Sequence, residues 1–201
     1  MAADPLPTVP GPALPAAPAT MLELGAALGA DVWWCEQLFA VAGGWVATTP
    51  EGAIRIHGAE LSRVAGEHAQ VLRALLPRPA PVDPVAWVTP PSDAATDVVA
   101  ELAEATESSA RLAVVHRVVL SRLLAGWAPA GGLSVAGPAR ALRHARADLA
   151  DLRDEGEALL QALVATDPRH LDAAHAAARR AEGLLVTRGG MRPPVPSAPP
   201  I

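Results

Sequence analysis

Residues 31–77, DVWWCEQLFAVAGGWVATTPEGAIRIHGAELSRVAGEHAQVLRALLP, decide the fold. The first half is almost uncharged, and its side chains fall on a seam of alternating four- and three-residue steps, the spacing of one helix face. Leu24, Leu28, Asp31, Cys35, Leu38, Ala42 and Trp45 make that seam, while Trp33, Trp34, Phe39 and Val41 carry apolar character round to the other faces. A helix that is apolar all round is either central to a bundle or also covers a partner subunit. Thr48-Thr49-Pro50-Glu51 follows, with Thr49 suited to a cap, Pro50 to the first helical position and Glu51 to the first turn. The second half is amphipathic, with seam Ile54, His57, Leu61, Val64, His68, Val71 and Leu75, and it stops before Pro77. So short a link predicts an antiparallel hairpin of two long helices, 21–47 and 51–76.

Working outward, Thr20 caps the first helix and Glu23 sits in its first turn, where the helix dipole favours a carboxylate. Downstream, RPAPVDPVAWVTPP at 78–91 holds five prolines in fourteen residues and cannot be helical throughout. Extended, it reaches roughly 46 Å, against roughly 39 Å for a 26-residue helix. It therefore reads as a crossover along the whole bundle, with Trp87 packing it down. Ser92 or Asp93 caps a third helix running to 126 or 127, with Val98, Leu102, Ala105, Ser109, Leu112, His116, Val119 and Leu123 on its seam. APAGGLSVAG breaks the chain. A fourth helix covers 138–165, and Asp167-Pro168 opens a shorter fifth that Gly189-Gly190 closes. Two long hairpins joined by a long crossover give an all-α fold class. That connectivity predicts a ferritin-like, up-down-down-up four-helix bundle with a long crossover between helices 2 and 3, plus a short fifth helix. The bundle spans 20–189. The ends, 1–19 and 190–201, combine proline with small residues and read as disordered tails.

Composition removes several classes. With 201 residues and 51% hydrophobic side chains, a single domain with a real core is expected. A net charge of −5, with all sixteen basic residues arginine and no basic run, argues against nucleic acid. A membrane span through the first helix would bury Asp31 and Glu36 at a few kcal/mol each, and Gly43-Gly44 interrupts it. The lone Cys35 lies in an apolar run and reads as a small buried hydrophobe. No arginine precedes an apolar segment at the N-terminus, so no secretory signal is read there and a cytoplasmic location is expected.

EQLFAVAGGWVATTPE, EHAQVLRALLP, RLAVVHRVVLSRLL and DEGEALLQALV resemble a ferritin-like domain family of actinobacterial type, over roughly residues 22 to 185. These are packing and turn motifs. The resemblance implies a fold and confers no particular activity.

A ferritin-like di-iron centre needs four carboxylates and two histidines facing inward, two of the helices supplying Glu-x-x-His. No such motif occurs in the chain. The second helix has His57-x-x-Glu60 in reversed order and Glu67-His68 as neighbours; the first has Asp31 and Glu36; the third has Glu101, Glu104 and His116. The fourth helix has a wholly apolar seam, and its His144, Asp148, Asp151 and Glu155 follow another face that reads as a solvated, ion-paired surface. The pattern is that of a degenerate metal site, whose remaining candidate ligands are Glu36, His57, Glu60, His68, Glu104 and His116. His57 and His68 lie roughly 16 Å apart along their helix, so His68 with His116 is the pair expected to meet.

Three functions follow as expectations. The first is a non-catalytic interaction or structural protein with no cofactor, binding a partner or a second copy through its apolar first helix, where Gly25-x-x-x-Gly29 permits close packing. The second is a metal-dependent oxidase or oxygenase, or an iron-binding protein, using iron or manganese at a di-iron or mononuclear carboxylate–histidine site. The third is a small-ligand carrier with a Trp-lined cavity.

Overall fold

The computed structural model describes residues 20–78, 83–127 and 136–193. Both Pro-rich stretches expected as tails lie outside these residues, except that the chain is placed as far as Pro193. The first helix, α1, spans Met21–Trp45. Thr20 opens it with a reciprocal cap: its Oγ1 accepts from the Glu23 amide at 3.2 Å, and the Glu23 carboxylate accepts from the Thr20 amide at 2.7 Å. The second, α2, spans Gly52–Ala74 and packs along α1 as the expected hairpin. Its start differs from expectation. Glu51 is the cap residue and makes no capping bond, and the Thr49 hydroxyl accepts instead from Arg111 at 3.0 Å.

Helix α1 is the centre of the molecule. Gly25 and every residue from Leu28 to Cys35 are buried, Cys35 completely. A 3-10 turn at Pro84–Trp87 lays the Trp87 indole on α1, where a Cβ at Gly25 would come within 2.8 Å of the ring. A Cβ at Gly29 would collide with the Trp87 carbonyl. Trp87 Nε1 donates to the Pro77 carbonyl at 3.1 Å, which closes the crossover on itself. The glycine pair that the sequence offers for a partner helix is thus filled within the chain.

The third helix departs most from the sequence reading. Helix α3, Asp93–Glu104, is separated from Ser108 by three residues. Helix α4 then runs without a break through Ser108–Leu112, a π-helical stretch Ala113–Leu120, and Ser121–Gly126. In one continuous helix the carbonyls of Leu102 and Ala105 would accept from the amides four residues on. Tertiary partners have taken them: Trp45 Nε1 donates to Leu102 O at 3.2 Å, and Arg111 Nε to Ala105 O at 2.7 Å. Glu101, Glu104 and Glu107 also repel one another along one face of a continuous helix.

The break reverses the chain. Asp97 pairs with Arg188, the cap residue that follows α6 (Arg169–Thr187), and Glu101 with Arg180 of that helix, so α3 runs antiparallel to α6 and ends beside the C-terminus of α1. Helix α4 starts at the α1–α2 turn, where Ser108 donates to Glu51 at 2.6 Å, and descends to Trp127 beside Asp31. Helix α5, Ala136–Thr166, climbs back along α2, with Asp148 at His68 and Glu155 at His57. Helices α1 and α5 therefore run one way, and α2 and α4 the other. The climb between α2 and α4 takes the Pro-rich segment and α3 together, where the sequence assigns it to 78–91 alone. No strand occurs among the described residues, and none of their helices is long and apolar enough to cross a membrane.

Candidate functional site

The six candidate ligands scatter. Glu36 pairs with Arg73 of α2. Glu60 is exposed and held by Arg63 through Nε at 3.0 Å and Nη2 at 2.6 Å. His68 bonds Asp148 through Nε2 at 2.8 Å. Glu104 is exposed at the C-terminus of α3. Only His57 and His116 meet, their Nε2 atoms 3.3 Å apart and their rings tilted by 48°. The pairing of His68 with His116 is thereby corrected. Helix α4 starts level with the start of α2, which brings His116 to the first turns of that helix and leaves His68 three turns away.

The pair is built by three elements. His57 sits on α2 one turn before Leu61 and is 6% exposed; His116 lies in the π-helical stretch of α4 and is 2% exposed. The wider π turn is seldom sustained and tends to occur where a side chain must be aimed specially. The Ser121 hydroxyl, five residues on, donates to the His116 carbonyl at 2.9 Å. The third element is α5: a Cβ at Gly156 would come within 2.3 Å of the His116 ring, so only glycine leaves room for the imidazole. Glu155, its neighbour, places a carboxylate oxygen 3.6 Å from His57 Nδ1.

This geometry selects a protonation state. Glu155 favours a proton on His57 Nδ1, which leaves His57 Nε2 to accept from His116 Nε2–H. His116 Nδ1 is then a bare lone pair, and no donor reaches it. A further proton on the pair would lack an acceptor at one of these nitrogens. Burial lowers the His116 pKa to about 3, helped by His57 and opposed by Glu157. Burial also lowers that of His57, opposed by Glu155 and Glu60. The pair is neutral at neutral pH. Glu157 itself is engaged by Arg117 through Nε at 2.8 Å and Nη2 at 2.6 Å.

Two further buried polar groups stand apart. Asp31 is 1% exposed in the core and accepts from Arg192 Nη2 at 3.0 and 3.1 Å. Burial raises its carboxyl to about 6, against the pull of Arg192 and the Trp127 indole. Arg111, 4% exposed, is satisfied by the Ala105 carbonyl, the Thr48 and Thr49 hydroxyls and the Trp45 ring face, 5.2 Å from its guanidinium carbon. It fastens the α1–α2 turn to the α3–α4 reversal.

Sequence reasoning assigned Asp148 and Glu155 to a solvated stripe on α5. Both are indeed exposed and paired, at 55% and 65% exposure, and the groups they pair with are histidines of α2. The steps Asp148, Leu152, Glu155 and Gly156 do place them one row from the buried seam, and that row is the only signal that could have marked them. Nothing in the sequence marked the π stretch or Arg192. A cavity of about 400 Å³ lies between α3, α4 and α6, lined by Val98, Leu102, Val114 and the alanines of α6, with Glu101 and Arg180 at its rim. No tryptophan lines it.

Among the described residues, no group of three or more His, Cys, Asp or Glu side chains is placed to hold a metal ion together. Comparison with family models, curated proteins and solved structures returned no match.

Proposed function

We propose that this chain is a ferritin-like helical bundle that has no catalytic role and works by binding a protein partner or a second copy. The up-down-down-up order of α1, α2, α4 and α5, with a long climb between α2 and α4, supports the ferritin-like reading. One observation carries the functional half: the two inward histidines end on each other, while Glu36 and Glu60 are paired with arginines elsewhere. The degenerate metal site then serves packing. The large apolar side chains that α1 still offers a partner are Met21, Leu22 and Phe39, because Trp87 fills the glycine notch.

A second reading has its own observation. Two nitrogens 3.3 Å apart match the spacing of two imidazoles on one tetrahedral ion with bonds of about 2.0–2.1 Å. On that reading His57 and His116 are the core of a mononuclear iron or manganese site in an oxidase, oxygenase or iron-binding protein, and Glu60, one turn along α2, has to leave Arg63 to complete it. Metal content of protein purified without chelators, before and after reconstitution with iron or manganese, separates the two. The non-catalytic reading expects far less than one equivalent and no loss on substituting both histidines. Stoichiometric metal that disappears in His57→Leu/His116→Leu overturns it. Light scattering on the same samples tests self-association, which a strictly monomeric protein at high concentration would remove.

A further inference from the structure

After α6 the chain does not leave the bundle. Gly189 turns it through a φ of +104°, a conformation that side chains rarely adopt, and a Cβ there would also press on Ser92. The next residues run back across three helices. The Ser92 hydroxyl, at the start of α3, donates to the Gly190 carbonyl at 3.1 Å. Trp34 of α1 donates its indole N–H to the Met191 carbonyl at 3.1 Å, and the Met191 side chain is buried. Arg192 then reaches the Asp31 carboxylate with a single Nη2.

We propose that Gly189–Pro193 is a releasable strap over α1, latched by the Arg192–Asp31 pair and let go when Asp31 takes up a proton. Beside the buried Met191 side chain, two of its three polar anchors are neutral hydrogen bonds to carbonyls, each of small net worth. The third is an ion pair whose acid is in the core and whose base is at the surface, 1% and 33% exposed. A neutral Asp31 needs no counterion, so protonation removes the reason for Arg192 to stay. The coupling is reciprocal: whatever Arg192 does to the proton affinity of Asp31, the proton does to the binding of Arg192. The groups facing Asp31 are few. Arg192 comes from the strap, and Trp127, at the end of α4, brings an indole N–H with no full hydrogen bond. Cys35 on α1 is a neutral thiol held so by burial. Glu36 and Arg122 are paired elsewhere, with Arg73 and Glu182. Burial sets the carboxyl at about 6, where mild acidification reaches it.

The test is a pH titration of the full chain labelled with 15N-tryptophan, reading the indole N–H signals of Trp34 and Trp127, assigned by Trp→Phe replacement. The Trp34 signal should move with that of Trp127 between pH 7.5 and 5, with one midpoint near 6, as the bond to Met191 opens. Asp31→Asn should show Trp34 at the released position throughout, and Arg192→Met should show it there already at pH 7.5. Arg192→Met alters a partly exposed side chain and keeps the test decisive if Asp31→Asn does not fold. A Trp34 signal that stays fixed while Trp127 titrates overturns the proposal. So does a shift of Trp34 that persists in Asp31→Asn, since it would belong to the histidines.

Discussion

Two buried polar sites in this bundle meet the same problem in opposite ways. At His57–His116, burial is tolerated because the groups shed their protons and bond each other, with Glu155 selecting the tautomer. At Asp31, the group keeps its charge at neutral pH only because Arg192 is brought back from the end of the chain. The first site is closed by helices α2, α4 and α5. The second is closed by a strap of a few residues. Neutral pairing therefore leaves a site rigid and insensitive, whereas charge pairing leaves it dependent on a segment that can move.

That contrast can be broken most forcefully at Arg192. Replacing it by methionine at pH 8 strips a core carboxylate of its partner and should cost about 3 kcal/mol. This is the low end for such a loss, because Arg192 is one-third exposed. A melting temperature roughly 6–12 °C lower is expected. At pH 5, where Asp31 is protonated, the same substitution should cost under about 1 kcal/mol. Equal losses at both values would show that Asp31 is not the charged half of the latch.

The histidine site should fail through packing before it fails through charge. Gly156→Ala drives a methyl group into the His116 ring and should cost about 2 kcal/mol in urea unfolding, a typical penalty for overpacking. Combined with His116→Ala, most of that loss should vanish, since the two changes share one contact. A loss that persists in the double variant would place its cause elsewhere on α5.

The finest test uses pH, because the two sites should act with opposite signs. The histidines titrate lower in the fold than in the unfolded chain, near 6.5 unfolded against about 3 for folded His116. Between those values the unfolded state binds more protons, so their contribution to stability is complete above 6.5 and falls as pH drops. Asp31 is raised to about 6 from 3.8, so in that interval the folded state binds more protons and stability rises as pH falls. Each titrating group contributes at most about 1.4 kcal/mol per pH unit to these slopes. Between pH 6 and 4, Asp31→Asn should lose stability more steeply than the unsubstituted protein. His57→Leu/His116→Leu should lose less, or gain. The same slope in all three proteins would remove the distinction between the sites.

Much of the frame was legible because it follows from local rules. The Thr20–Glu23 cap, the α1–α2 hairpin, the bounds of α5 and α6 and the burial of Cys35 come from capping chemistry, periodicity and the placement of proline and glycine. The candidate site was legible only in part. His57 and His116 stand on apolar seams, which marks them as buried polar residues, but seams carry no information on the relative height of two helices. The reversal at Ala105–Glu107 set that height and exchanged His68 for His57 as the partner of His116. The reversal itself depends on two captured carbonyls, Leu102 by Trp45 from 57 residues away and Ala105 by Arg111, which Thr48 and Thr49 of the α1–α2 turn hold in place.

By itself, then, the sequence determined that this is an all-helical protein centred on one apolar hairpin, with three histidines on buried faces and no Glu-x-x-His. Those properties depend on side-chain period, caps and residue inventory, all of which act within a few turns. Tertiary structure alone decided which buried groups meet. A Gly25–Gly29 notch that suits a partner helix accepts Trp87, and Arg192, outwardly part of a Pro-rich tail, neutralises an acid 161 residues away. Buried charges and unpaired imidazoles are too costly to leave alone, and the chain meets that cost with whichever group the packing brings within reach.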